Sequence, residues 1–300
     1  MTPVQAPTGM HRAAVEIHPA PAVERPAPAV AQPAPALAAH TDYLLHLADN
    51  ALILGQRTAE WCGHGPILEE DIALANIGLD LIGQARLLYQ HAASLIAQQT
   101  GQPCTEDQLA YFRNPQDFRN YVLLELPHHT AFAPSTQVER DYAVTIARNF
   151  LYASLMVRVW EALQTSADAQ LAAIAAKSVK EVRYHLRHAT DWMLRLGDGT
   201  AQSNARLQAA LHHLMPYTQE FWAVSPTERA VQQAGITVGL AALQSAWCQS
   251  VDAVLVEATL RPVNASGFVT RGKEGQHSEH LGYLLAEMQS LARAHPEGVW

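Results

Sequence analysis

The segment Glu69–Ala93, EEDIALANIGLDLIGQARLLYQHAA, decides the fold. Wound as a helix, it is apolar almost all the way round, through Ile72, Leu74, Ile77, Leu79, Leu81, Ile82 and Leu88. A helix of that kind is expected inside a protein rather than on its surface. Asn76, Asp80, Gln84 and His91 fall in one narrow polar stripe, joined across the gap at Gly83. Buried polar groups must be paired, since an unsatisfied one costs roughly 1–3 kcal/mol. An inward polar stripe on a central helix is where helical bundles place metal or cofactor sites. The stripe therefore holds either a site or the remains of one.

Upstream, Thr41 reads as the N-cap of a helix to about Trp61, broken by Gly63, Gly65 and Pro66. Residues 1–39 stand apart as a Pro/Ala-rich tail with eight of the 17 prolines. So little apolar surface predicts disorder, with a docking or spacer role as the alternative. Downstream, Gly101 and Pro103 end the organising helix. A shorter helical region covers 106–126, interrupted at Asn114-Pro115. Ser135 is expected to cap a long helix to about Thr165, and another spans Asp168–Leu196. Further helices fit 202–222, 226–235, 237–260 and 278–294, with at most a short strand at Phe268-Val269. The expectation is an all-α long antiparallel helical bundle over residues 40–300, with additional C-terminal helices.

Composition narrows the function. Twenty Lys and Arg against 28 Asp and Glu give a net charge of −8, which disfavours nucleic acid or an anionic membrane as partner. Cys62, Cys104 and Cys248 form no CxxC pair, which fits a reducing cytoplasm. No apolar run reaches the roughly 18 residues of a membrane span.

Long four-helix bundles hold two irons with one carboxylate on each of two helices and carboxylate-x-x-His on the other two. Here the corresponding segments read Leu81-x-x-Gln84 and Val182-x-x-His185, with acidic residues one position earlier at Asp80 and Glu181. The middle of the third long helix, Asn149–Ala153, offers no carboxylate. Only His185 is an ordinary iron ligand, so a full site is not expected. His185-x-x-His188 and His277-x-x-His280 lack a third ligand and read as surface or interface histidines. Glu181, His185, Lys180, Arg183 and Arg187 read as an ion-pair network. Arg271-Gly-Lys-Glu-Gly275, with Arg271 and Lys273, is either a phosphate cradle or a solvated loop.

Three separated segments carry a resemblance. GQRTAEWCGHGPILEEDIALANIGLDLIGQARLLY (55–89), KSVKEVRYHLRHATDWMLRLGDGT (177–200) and TRGKEGQHSEHLGYLLAEMQ (270–289) resemble the non-catalytic, C-type subunit of bacterial ring-1,2-phenylacetyl-CoA epoxidase. The likeness runs from about Asp42 to Trp300, without the tail. It implies a ferritin-like fold, a cytoplasmic place in phenylacetate catabolism, and pairing with a sister subunit that carries the di-iron site. It implies no cofactor on this chain and makes Asp80, Leu81, Gln84, Ala153, Glu181, Val182 and His185 the positions of a vestigial site.

Two other readings compete. One is an oxygenase chain with its own metal at Asp80, Glu181, His185 and His188, and the other is an unrelated helical binding module. In the structural-subunit reading Asn76, Asp80 and Gln84 pair inward with Glu181 and His185, while His188 and Arg195 face a partner. Contact between CoA and the Arg271–Lys273 loop stays open.

Overall fold

The computed structural model describes residues 35–130, 139–265 and 267–298. The first helix, α1 (Pro35–Ala59), starts earlier than the Thr41 cap suggests. Thr41 lies inside it and turns its hydroxyl back to the Leu37 carbonyl. Residues 35–39 are thus helical, and the rest of the proposed tail lies outside the described residues. Helix α2 (Leu68–Thr100) stops where Gly101 adopts a left-handed φ of 68° and its amide reaches the Ala97 carbonyl. Thr105 and Gln108 form a reciprocal capping box that starts α3 (Glu106–Tyr111). The one-turn α4 (Val122–Glu125) follows.

Ser135 lies outside the described residues, and it is Asp141 that caps α5 (Tyr142–Leu163) by accepting from the Ala143 amide. Asp168 caps α6 (Ala169–Gly197) through the amides of Gln170 and Leu171. Beyond it come α7 (Ala201–Leu214), α8 (Gln219–Trp222), α9 (Pro226–Gln233), α10 (Ala241–Glu257) and α11 (Glu279–Ala294). No strand occurs among the described residues; Phe268 and Val269 are exposed loop, and an isolated bridge joins Arg271 to Gln276.

The bundle is two helical hairpins, α1 with α2 and α5 with α6, joined where α2 packs on α6. Helix α5 is flanked by α6, α7 and α10, and its residues from Ala143 to Val157 are all buried. That corrects the expectation for α2, because the helix enclosed on all sides is α5. Helix α2 has α1, α3 and α6 as its main neighbours, and its remaining face leaves Leu68, Ile72 and Leu79 exposed, the last by 66%. The C-terminal elements close the structure. α10 lies on α5 with the Trp247 indole donating to the Leu151 carbonyl, and α11 packs on α3 and α4.

The loop between α10 and α11 is pinned tightly to the body at Gly272. A Cβ there would sit 2.2 Å from the Asn120 carbonyl oxygen and 3.0 Å from the Val122 nitrogen. Backbone atoms on both elements cannot yield without breaking their own bonds. Gly272→Ala is therefore expected to destabilise the fold by about 1–3 kcal/mol, as forced overpacking does. A melting temperature within 1 °C of the parent, or roughly that, would show that the loop is less tightly seated.

Candidate functional site

Helices α2 and α6 run antiparallel, so residue numbers climb on one as they fall on the other, and polar pairs step along their seam. At one end Glu70 accepts from His188 Nε2 at 2.8 Å and from the Tyr142 hydroxyl at 2.5 Å. Next, His185 Nε2 donates to Asp80 Oδ2 at 3.0 Å. Gln84 Nε2 then donates to Glu181 Oε2 at 2.9 Å, and Lys177 lies 3.6 Å from the other Glu181 oxygen. At the far end His91 meets Asp168. Burial opposes ionisation of Glu70, but the hydrogen bonds from Tyr142 and His188 hold its carboxyl below the usual range.

Behind the central pairs lies a cavity of about 20 Å³, lined by Leu54 of α1, Ile77 and Leu81 of α2, Asn149, Tyr152 and Ala153 of α5, and Val182 and His185 of α6. All four bundle helices contribute, which is the placement of a di-iron centre in such a bundle. The volume holds about one water molecule. Leu81, Ala153 and Val182, which the resemblance sets at ligand positions, all line this space, together with His185. Among the lining residues the polar side chains are Asn149, Tyr152 and His185, and His185 is already engaged with Asp80. This donor set does not fit two irons, which need several carboxylate oxygens to balance their charge.

Other sequence expectations change in three dimensions. Asn76 is exposed rather than inward, and Asp80 sits at the rim with its side chain 39% exposed. His188 points inward to Glu70 instead of out toward a partner, while Arg195 is exposed and stacks over Trp192. Arg183, from the expected ion-pair network, pairs with Glu161 rather than Glu181, and Arg86 pairs with Glu106. Lys273 is not available to a phosphate. Its buried ammonium donates to both Glu228 oxygens and the Ala223 carbonyl.

His277 and His280 also part company. His277 donates Nδ1–H to Glu125 at 2.8 Å and Nε2–H to the Phe118 carbonyl at 3.0 Å. Two acceptors require an imidazolium. Burial alone would lower its pKa, yet the Glu125 hydrogen bond and charge raise it.

A buried polar network beside the seam escaped the sequence reading. Arg57 donates from Nε and Nη2 to the Glu125 carbonyl, at 3.0 and 2.7 Å. Arg148, fully buried in α5, reaches the Leu126 carbonyl and, at 3.0 Å, His128 Nδ1. Burial and the nearby Arg57 charge push the Arg148 pKa down to about 9, which still leaves it charged at neutral pH. His128 donates Nε2–H to the Arg57 carbonyl at 2.7 Å, so its Nδ1 is an acceptor. Burial first, then the Arg148 charge, push its pKa well below the ordinary value and keep it neutral. An arginine within the apolar run of α5 was the available signal, but its partners are 20 or more residues distant.

With this geometry in hand, comparison with known proteins gives a consistent answer. The family described as phenylacetic acid catabolic protein matches residues 25–300, and the chain belongs to that family. The match begins inside the Pro/Ala-rich stretch, earlier than the resemblance in the three segments suggested. The chain is also 43% identical over 260 residues to the C subunit of 1,2-phenylacetyl-CoA epoxidase from Escherichia coli strain K12, covering 87% of this chain and 98% of that protein. The family's ferritin-like, all-α fold is the one described above. No helix among the described residues is long and apolar enough to cross a membrane.

The pairing along the seam sets the cost of removing its members. Asp80→Leu is expected to cost only about 1 kcal/mol, because a rim carboxylate paired to one histidine is worth far less than a fully buried pair. A loss above roughly 3 kcal/mol in denaturant melts would mean that Asp80 is sequestered.

The buried histidines set a dependence on pH. His46 and His128 are buried with lowered pKa values, in both cases mainly through burial. The unfolded chain binds protons at these sites below about pH 6.5 and the folded chain does not, so stability falls as pH drops through that value. Each such proton contributes up to roughly 1.4 kcal/mol per pH unit. His277 has a raised pKa, so its contribution is complete below about pH 6.5 and is lost as pH rises through its folded value. Melting temperature is expected to peak near neutrality and drop toward pH 5. A flat profile from pH 7 to 5 would contradict the protonation states assigned to His46 and His128.

Proposed function

We propose that this chain is the structural, non-catalytic C-type component of a multi-subunit phenylacetyl-CoA epoxidase. In this reading it pairs with and supports a sister subunit that carries the di-iron site, in the cytoplasm. The observation that carries it is the cavity between the four long helices, where Leu81, Ala153 and Val182 stand at ligand positions. A bundle that keeps its helices but lacks these oxygens has no use for oxygen activation on its own. The name of the Escherichia coli relative supplies the epoxidase and the place of such a chain as one of its subunits.

The outer face of α2 supports a docking role. Leu68, Ile72 and Leu79 are exposed at helical spacing, beside Asn76 on the same side. Obligate interfaces of helical subunits are more apolar than ordinary surface and bury more than roughly 2,000 Å² in total. The alternative, an oxygenase site at Asp80, Glu181 and His185, is disfavoured by the pairing along the seam. These residues do not bring three ligand atoms within 4.8 Å of one another.

Co-expression with the di-iron subunit is expected to yield one species in size exclusion at moderate salt, with the iron carried by the partner. The purified chain is expected to form no dinuclear iron centre after anaerobic Fe(II) loading and exposure to air. Ile72→Glu with Leu79→Glu should leave the isolated chain folded and weaken co-elution by roughly 100-fold or more, since each buried aliphatic side chain contributes about 1.5–3 kcal/mol. Separate elution of the parent chains, with undiminished turnover by the partner alone, would overturn the reading. Two irons per chain would favour the oxygenase alternative.

A further inference from the structure

At the far end of the seam, three elements aim ligand atoms at one point. His40 of α1 and His91 of α2 both direct Nε2 at the same oxygen, Oδ2 of Asp168, at 2.8 and 2.5 Å. The three atoms lie within 4.8 Å of one another. The second carboxylate oxygen, Oδ1, is held by the amides of Gln170 and Leu171 at the start of α6. The carboxylate is thereby fixed in orientation and offers one oxygen to the histidines.

We propose that His40, His91 and Asp168 form a mononuclear site for a divalent transition-metal ion of the zinc type, completed by water. Two imidazoles and one carboxylate are a common zinc ligand set with an open position. Hard ions such as magnesium prefer all-oxygen shells, which this site does not provide.

Two imidazoles that share one carboxylate oxygen are already arranged round the place an ion would take. Tetrahedral ligands at about 2.1 Å from zinc stand roughly 3.4 Å apart. Nε2 and Oδ2 therefore need to separate by less than 1 Å, or about that, and His40 has room because it is only partly buried.

The tautomers also allow it. His91 Nδ1 has no hydrogen-bond partner among the described residues, so no donor locks the proton onto Nε2. This differs from His128, whose Nδ1 accepts from neighbours while Nε2 faces a carbonyl. A cation near the start of α6 is disfavoured by the helix dipole. The Asp168 carboxylate offsets that, since its Oδ1 already covers the free amides there.

This site is separate from the central cavity. His91 lies ten residues beyond Leu81 on α2, about 15 Å along the helix axis. It departs from the expectation of no cofactor on this chain and does not depend on the partner. Its effect is structural, clamping the start of α1 and of α6 to α2.

The test uses the full-length chain, freed of any affinity tag and stripped with chelator. Titration with Zn(II), and with Co(II) as a visible-absorption probe, is expected to saturate at one ion per chain with a Kd on the order of 1 μM or below. Chelator should lower the melting temperature. His40→Ala and His91→Ala are each expected to weaken binding by at least about tenfold. Asp168→Asn keeps an N-cap oxygen for α6 and should weaken binding as much. If His91→Ala fails to fold, the other two variants carry the test.

Fifteen histidines give other places for loose binding, so the variants decide. No saturable binding up to roughly 100 μM zinc, or binding that all three variants leave unchanged, would overturn the proposal.

Discussion

The seam between α2 and α6 is the constraint on which the rest of this molecule depends. Two hairpins of long helices meet there, and four polar residues of α2 find partners on α6 or at its start. Glu70 meets His188, Asp80 meets His185, Gln84 meets Glu181, and His91 meets Asp168. Leaving such groups unpaired inside a bundle costs more than most single packing contacts contribute. The pairs therefore fix the relative height of the two helices as well as their contact. A slip by one turn would move each histidine about 5.4 Å away from its carboxylate.

Within that frame the central cavity has a simple physical meaning. Bundles with two irons place several carboxylates in this volume, and the charge of the metals offsets their mutual repulsion. Without metal, carboxylates facing one another there would repel across a poorly solvated gap. Aliphatic residues at 81 and 182 and alanine at 153 remove the repulsion, and the space contracts to room for about one water. The acidic residues Asp80 and Glu181 sit one position to the side and meet His185, Gln84 and Lys177. The acidic side chains beside the cavity are thus taken up by polar pairs, and aliphatic side chains form much of its lining.

A second set of buried charges ties the outer pieces to the bundle. Glu125 accepts from His277, the Ser278 amide and Asn120, so the start of α11 is anchored on α4. Lys273 and Glu228 pair in a place almost closed to solvent, joining the loop before α11 to α9. Breaking one member of such a pair leaves a buried charge alone, which is far costlier than losing a surface pair. The loop that resembled a phosphate cradle is built from these contacts. Its glycine and lysine serve the packing of the chain on itself.

Much of this was legible in the residues. Capping chemistry set helix ends at Gly101, Asp168 and Ser278, because those signals act over a few residues of backbone. The absence of carboxylates at Leu81, Ala153 and Val182 was equally plain, since the motif spacing is local to each helix. Other features depended on what lies beside each helix. Periodicity places Ile72, Leu74, Ile77 and Leu79 around one axis but does not say where the neighbours are. Only packing decided that Leu74 and Ile77 are buried while Ile72 and Leu79 face outward. The same holds for pairs remote in sequence. Arg57 with the Glu125 carbonyl, His277 with Glu125 and His40 with Asp168 join residues 68, 152 and 128 positions apart. Sequence determined the helices and the residue types at 81, 153 and 182, because both are written along the chain itself. Tertiary structure alone decided the outward face of α2 and the cluster at Asp168, because hydrogen bonds and burial act through space and take no account of distance along the chain.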